Sequence, residues 1–176
     1  PGRVISTPIS EAAVVGSGIG LALSAYLPIL EIMFADFITL AGYRQWGWSL
    51  AEPGRAPVNL NGLRVSSEFF SVLGVAPALG RTFTLDEDQP GNRVAVISHN
   101  AWLAQFGGDP NIIDRVVQIS DEATTIIGVM PKEFSSLFLW GPGEVFRPLA
   151  LTELEKANHT DYGLQVMGRY RAGLSL

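Results

Sequence analysis

The sequence predicts an α+β fold: a mixed sheet with short helices, preceded by an unrelated helix-strand segment. Three observations carry this reading. Short runs of β-branched and aromatic residues are interleaved with short helical runs, without strict strand-helix-strand alternation. Two of the β-branched runs flank Ser120-Asp121-Glu122, which is a hairpin signal. The character of the chain changes near residues 40–44, from an apolar, nearly uncharged stretch to one that carries Trp46 and Trp48 close together.

Taken in order, Thr7 caps and Pro8 opens a helix that runs through an apolar segment to about Ser24. Residues 26–34 read as a short buried strand, and residues 35–41 as a loop or the start of a helix. The turn-rich stretch 52–57 comes after the tryptophans. Residues 62–65 read as a strand, and Ser66 or Ser67 caps a short helix carrying Phe69, Phe70, Val72 and Leu73, which Gly74 stops. Residues 77–88 form a connection punctuated by Gly and Pro. Residues 94–98 are an apolar strand, and residues 100–106 a helix closed by Gly107-Gly108, with His99 at the turn between them.

Residues 115–119 and 123–129 form the hairpin, with a loop somewhat longer than the tightest class, and Pro131 ends its second strand. An irregular aromatic loop over 134–143, a short strand over 145–148, a helical turn over 152–157 and a last strand over 165–171 complete the chain. The expected core is Phe69, Phe70, Leu73, Val94, Val96, Trp102, Phe106, Val117, Ile119, Ile126 and Val129.

Composition narrows the functional classes. Apolar residues make up 47% and charged residues 16%, so the chain is too rich in hydrophobics for disorder. The net charge of -5 and the scattered Lys and Arg lack the clustered basic face that a nucleic-acid partner needs. With no cysteine, disulfides, thiolate catalysis and cysteine-ligated zinc are excluded. The uncharged stretch 12–26 is too short for a bilayer, and Pro28 and Glu31 interrupt the apolar run beyond it, so a buried helix and strand are expected there rather than a membrane span. The chain starts at Pro1 and reads as a fragment at both ends.

The motifs offer little catalytic chemistry. Gly16-Ser17-Gly18-Ile19-Gly20 lacks both the dinucleotide spacing and the Lys of a phosphate loop, so helix packing is expected and ATP hydrolysis is not. Asp86, Glu87 and Asp88 lack the alternating oxygens and the Gly of a calcium loop and read as a solvated turn. No nucleophile elbow surrounds Ser98, and His99 and His159 lie far apart in sequence, so a hydrolase triad has no support.

Over residues 43–176 the chain resembles the MacB-like periplasmic core domain of ABC-transporter permeases of the MacB and FtsX type. The likeness rests on the order of the pieces: Phe69-Phe70 with residues 72–75, Gly80-Arg81-Thr82-Phe83, residues 94–98, Phe106-Gly107-Gly108, then Ile127-Gly128-Val129-Met130-Pro131. The tail from Gly168 resembles the strand that leads into the next helix of that domain, truncated before the helix begins. The resemblance implies a non-enzymatic extracytoplasmic module acting through protein contacts in transport or mechanotransmission, on the periplasmic side of the inner membrane. The implied partners are permease transmembrane helices, a separate ATP-binding subunit or domain, and a second permease copy or a periplasmic adaptor.

Residues 3–41 resemble a different family, the beta subunit of thiamine-dependent 2-oxoacid (pyruvate or acetoin) dehydrogenases. In its pyrimidine-binding region, the residue matching Glu11 hydrogen-bonds the aminopyrimidine of thiamine diphosphate, and the aromatic matching Phe37 stacks on the ring. The usual Arg of the next turn is absent, because residues 25–28 read Ala-Tyr-Leu-Pro. The family supplies its metal-diphosphate site from another subunit, so the expectation is no cofactor, no catalytic residue and no metal. The alternatives are a fragment of such a dehydrogenase and a non-functional hybrid product. The division expected is therefore 1–42, an unrelated segment, and 43–176, the core domain, joined as a chimera.

Overall fold

The computed structural model describes residues 38–52, 54–136, 143–157 and 163–170. The expected first helix and strand, Glu11, Phe37 and the glycine run at 16–20 lie outside the described residues. The chain divides into two compact units, Pro1–Ile38 and Thr39–Leu176, and the second holds the sheet and its helices.

Strand β1 (Ile38–Ala51) runs antiparallel to β2 (Val58–Val65), from the Tyr43↔Val65 pair to the Leu50↔Val58 pair. Residues 38–41 are therefore strand, not loop or helix start. The pattern hid this because β1 changes faces along its length. Ala41 and Tyr43 are buried, residues 45–47 are exposed, and Trp48 and Leu50 are buried again, so odd positions face inward at one end and even positions at the other. A strict period of two, the usual strand signature, is lost.

The helix α1 (Phe69–Leu73) ends as expected, with Gly74 in the left-handed region at φ 71. Its start differs. Glu68 occupies the cap position and no side chain caps the helix. The Ser66 hydroxyl instead accepts the Gly42 N–H at 3.1 Å, and the Ser67 hydroxyl donates to Glu68 at 2.7 Å. Both serines are engaged outside the helix, one of them in fixing β1.

Strand β3 (Leu79–Gly80) and a 3-10 turn (Leu85–Glu87) interrupt the expected connection. Strand β4 (Val94–Ile97) leads into α2 (His99–Phe106), where Ser98 accepts the Ala101 N–H at 3.1 Å and Gly107 closes the end at φ 64. Strands β5 (Val116–Ile119) and β6 (Glu122–Val129) form the expected hairpin, but Ile119 pairs directly with Glu122. The loop is thus the tightest class, Ser120 and Asp121, both left-handed at φ 49 and φ 64. Asp tolerates that region through local hydrogen bonding, and the primed turn matches the twist of the strands. A 3-10 turn (Lys132–Ser136), strand β7 (Val145–Pro148), helix α3 (Glu153–Ala157) and strand β8 (Gln165–Tyr170) complete the order.

The eight strands among the described residues belong to one sheet, ordered β2-β7-β4-β6-β5-β1-β8, with β3 on β6. Because β1 also pairs with β2, six strands close into a circuit of pairings. The β2–β7 and β4–β6 pairs are parallel and the other registered pairs antiparallel, giving the expected mixed sheet.

Two hydrophobic clusters fill the two faces of the central strands. Alternate residues of β4 and β7 go to opposite clusters: Val96 and Phe146 join Phe69, Phe70, Phe83 and Phe134, whereas Ala95, Ile97 and Val145 join Ile112, Ile119, Ile126 and Phe106. Every residue of the expected core lies in one of these clusters or packs against it, with Leu73, Val94 and Trp102 at the margins. Sheets buried on both faces read as continuous apolar runs, and Val94 to Ile97 is such a run.

Candidate contact surface

The chemistry-bearing residues named from the sequence have structural employments. Ser98 is 2% exposed and caps α2, with its hydroxyl fixed by Ala101. His99 opens that helix with its ring edge-on to Trp102, centroids 5.5 Å apart; His159 lies outside the described residues. The three neighbouring carboxylates do not converge. Asp86 is exposed. Glu87 takes both terminal nitrogens of Arg81 at 2.7 Å and caps its own turn by accepting the Thr84 N–H at 2.9 Å. Asp88 accepts backbone N–H groups from Ser67 at 3.2 Å and Ala150 at 2.6 Å. The Arg81 hydrogen bonds hold the Glu87 carboxyl below its ordinary value and raise that of the guanidinium.

The polar organisation that the sequence reading missed lies on the outer side of β1 and β2. The Arg64 guanidinium reaches Glu155 of α3 at 3.2 Å and the carbonyl of Ala150 at 3.1 Å, and also donates to the carbonyl of Leu149. Arg44, on the neighbouring strand, approaches the same Glu155 oxygen at 3.8 Å. The other Glu155 oxygen accepts the Thr152 N–H and hydroxyl, each at 2.8 Å, while Thr152 Oγ1 accepts the Glu155 N–H at 3.2 Å. This is a reciprocal cap, legible as Thr-x-x-Glu in the sequence. Those bonds from Thr152, with Arg64 second to them, hold the Glu155 carboxyl below its ordinary value.

Beside this network Trp46 stands 44% exposed, with the Arg64 guanidinium 5.7 Å from its ring centre. Arg44, Gln45, Trp46, Gly163 and Gln165 line an open groove of about 410 Å³ between β1 and the start of β8. Leu40 on β1, Leu154 on α3, Leu164 just before β8 and Val166 within it also expose apolar surface. On the far end of β1, Glu52 pairs with Arg55 at 3.1 Å and Arg115 at 2.8 Å. Within the sheet, the Arg147 guanidinium lies 4.9 Å from the Trp48 ring and pairs with Glu122 at 2.8 Å. Ion pairs and exposed indole and aliphatic groups in this arrangement suit binding of another surface; among the described residues the groove brings together no nucleophile and base.

The fold and surface define a mixed-sheet domain with both faces filled and with exposed aromatic, aliphatic and charged groups on β1, α3 and β8. Residues 12–176 match the family model described as the MacB-like periplasmic core domain, and the chain belongs to that family. Its fold is shared with the periplasmic region of MacB from Actinobacillus actinomycetemcomitans, at TM-score 0.60 and 18% identity, covering 90% of this chain and 72% of that one. It is likewise similar to the extracellular domain of the ABC-type transporter YknZ from Gram-positive bacteria, at TM-score 0.58 and 17% identity, covering 80% of this chain and 69% of that one.

A second, shorter likeness is to a pyruvate dehydrogenase E1 component subunit beta from Leifsonia xyli subsp. xyli, 44% identical over 50 residues, which is 28% of this chain. The matched stretch is 14% of that protein, so the chain spans only a small part of this curated relative. The chain thus carries likenesses to two families, as the residues at its two ends suggested, and the core-domain match extends back across the change of composition to residue 12.

Proposed function

We propose that this chain acts as the extracytoplasmic domain of an ABC-transporter permease, through protein contacts in transport or mechanotransmission and without catalysis or a cofactor of its own. The family match over residues 12–176 is the observation that carries the reading. In this role the domain is held by permease transmembrane helices, driven by a separate ATP-binding subunit or domain, and meets a second permease copy or a periplasmic adaptor. The surface supports it: exposed Trp46 and Leu154 sit beside the Arg44–Arg64–Glu155 network, and aromatic and Arg groups at an interface carry disproportionate binding energy. Among the described residues no helix is long and apolar enough to cross a membrane.

None of the 176 residues is cysteine, so Leu154→Cys adds a thiol at a position 84% exposed, and its labelling is read against the unsubstituted protein. In bacteria making the intact protein, a membrane-impermeant maleimide should label it once the outer membrane is opened. Labelling that appears only after the inner membrane is lysed contradicts the placement.

The dehydrogenase likeness supports a second reading, in which Glu11 and Phe37 belong to a thiamine diphosphate pocket. That reading expects thiamine diphosphate to raise the melting temperature of the chain. The contact-domain reading expects no shift, and a hybrid without function expects neither that shift nor a partner.

A further inference from the structure

The chain leaves β7 through a backbone conformation that its neighbours hold from both sides. Ala150 has φ 43, in the left-handed region that a residue with a Cβ keeps only where the surroundings fix it. Its N–H donates to Asp88 at 2.6 Å, and its carbonyl accepts from Arg64 at 3.1 Å. The same Arg64 nitrogen donates to the Leu149 carbonyl, whose own N–H donates to Val65 at 2.7 Å. The second Asp88 oxygen takes the Ser67 N–H at 3.2 Å, ahead of α1. Three segments far apart in sequence therefore meet on one peptide unit.

Helix α3, which comes next in the chain, has no buried residue, so hydrophobic packing does not set its position. Its attachment is polar: Glu155 to Arg64 at 3.2 Å and to Arg44 at 3.8 Å, with Thr152 holding the carboxylate at 2.8 Å. We propose that Arg64 and Asp88 form a two-sided clasp on Ala150 that makes α3 a rigid lever on the sheet. A push on its exposed Leu154 then moves β2 and β7 instead of being absorbed by a loose turn. The two positioning residues act on the backbone, and the inference stands whether or not the partner is a permease subunit.

Backbone ¹⁵N relaxation on the whole chain tests it. Residues 152–157 should show order parameters of about 0.85, like β4 and β6. Asp88→Ala and Arg64→Gln should each bring α3 below about 0.6 while β4 and β6 stay rigid. Ala150→Gly, which leaves both clasping side chains and their backbone partners in place, should leave α3 ordered. Mobility of α3 in the unsubstituted chain, or an ordered α3 in both clasp variants, overturns the proposal. Should a clasp variant loosen the whole sheet, Arg64→Lys decides, because it keeps the charge but has no second terminal nitrogen to hold Glu155 while the first holds the Leu149 and Ala150 carbonyls. Loss of order confined to α3 then supports the clasp, and an unchanged α3 refutes it.

Discussion

The two faces of the sheet are filled by different means. On one face, Phe69, Phe70, Phe83, Phe134, Phe146 and Tyr43 form a ring cluster, with the Phe69–Phe70 centroids 5.3 Å apart and Phe134–Phe146 5.5 Å apart. On the other, Ile97, Ile112, Ile119, Ile126, Val117 and Val129 pack beneath α2 with Phe106 and Trp48. The aromatic face draws on a five-residue helix, a 3-10 turn and the connection at Phe83, each of which contributes few inward side chains. Short irregular segments gain enough burial only if each side chain is large, whereas strands supply many β-branched groups of moderate size.

Phe70→Ala should cost about 3–5 kcal/mol in a urea titration, because the ring touches Phe69, Phe83, Phe134 and Phe146. Ile126→Val on the opposite face should cost about 0.5–1.5 kcal/mol, since one methylene is lost among many neighbours. An equal cost for both would remove the distinction between a few large anchors and many small ones.

Between these lies Gly62→Ala, at about 1–3 kcal/mol. A Cβ there would overlap the Val145 carbonyl and sit 2.7 Å from the Trp48 ring, so the parallel β2–β7 pair and the indole beneath it would have to separate. A normal unfolding midpoint for this variant would mean that β2 and β7 are not paired as described.

Acid should produce the smallest effect. Glu87 and Glu155 have folded values below the ordinary carboxyl value of about 4.3, so each stabilises the fold above that pH and loses its contribution as pH falls through the lower folded value. The unfolding midpoint should hold from neutral pH to about 5 and decline below about 4, with Glu87→Gln and Glu155→Gln each flattening the decline. A midpoint that rises on acidification would contradict the sign.

Much of this fold was legible where local chemistry and tertiary context agree. Gly74 and Gly107 mark helix ends, the 94–97 run is a strand buried on both faces, and the named core residues all lie in or against the two clusters, whereas Phe83, Ile112 and Ile127, set in connections or beside a glycine, were missed. Strand β1 was not legible, because its inward positions change parity between Tyr43 and Trp48. The hairpin loop was placed correctly but read as too long, since Ser-Asp is not the Asn-Gly pair that announces a two-residue turn. The polar surface was the least legible part. Arg64, Asp88 and Ala150 are separated by whole elements, and only the Thr152-to-Glu155 spacing signalled any of their network.

Among the described residues, the unit beginning with β1 holds both hydrophobic clusters and should therefore fold without the residues before it. Calorimetry of a chain lacking residues 1–37, which leaves β1 whole, tests it most directly. A single cooperative transition within a few degrees of that of the full chain is the predicted result. Loss of cooperative unfolding would contradict the account, by showing that the first segment completes the core.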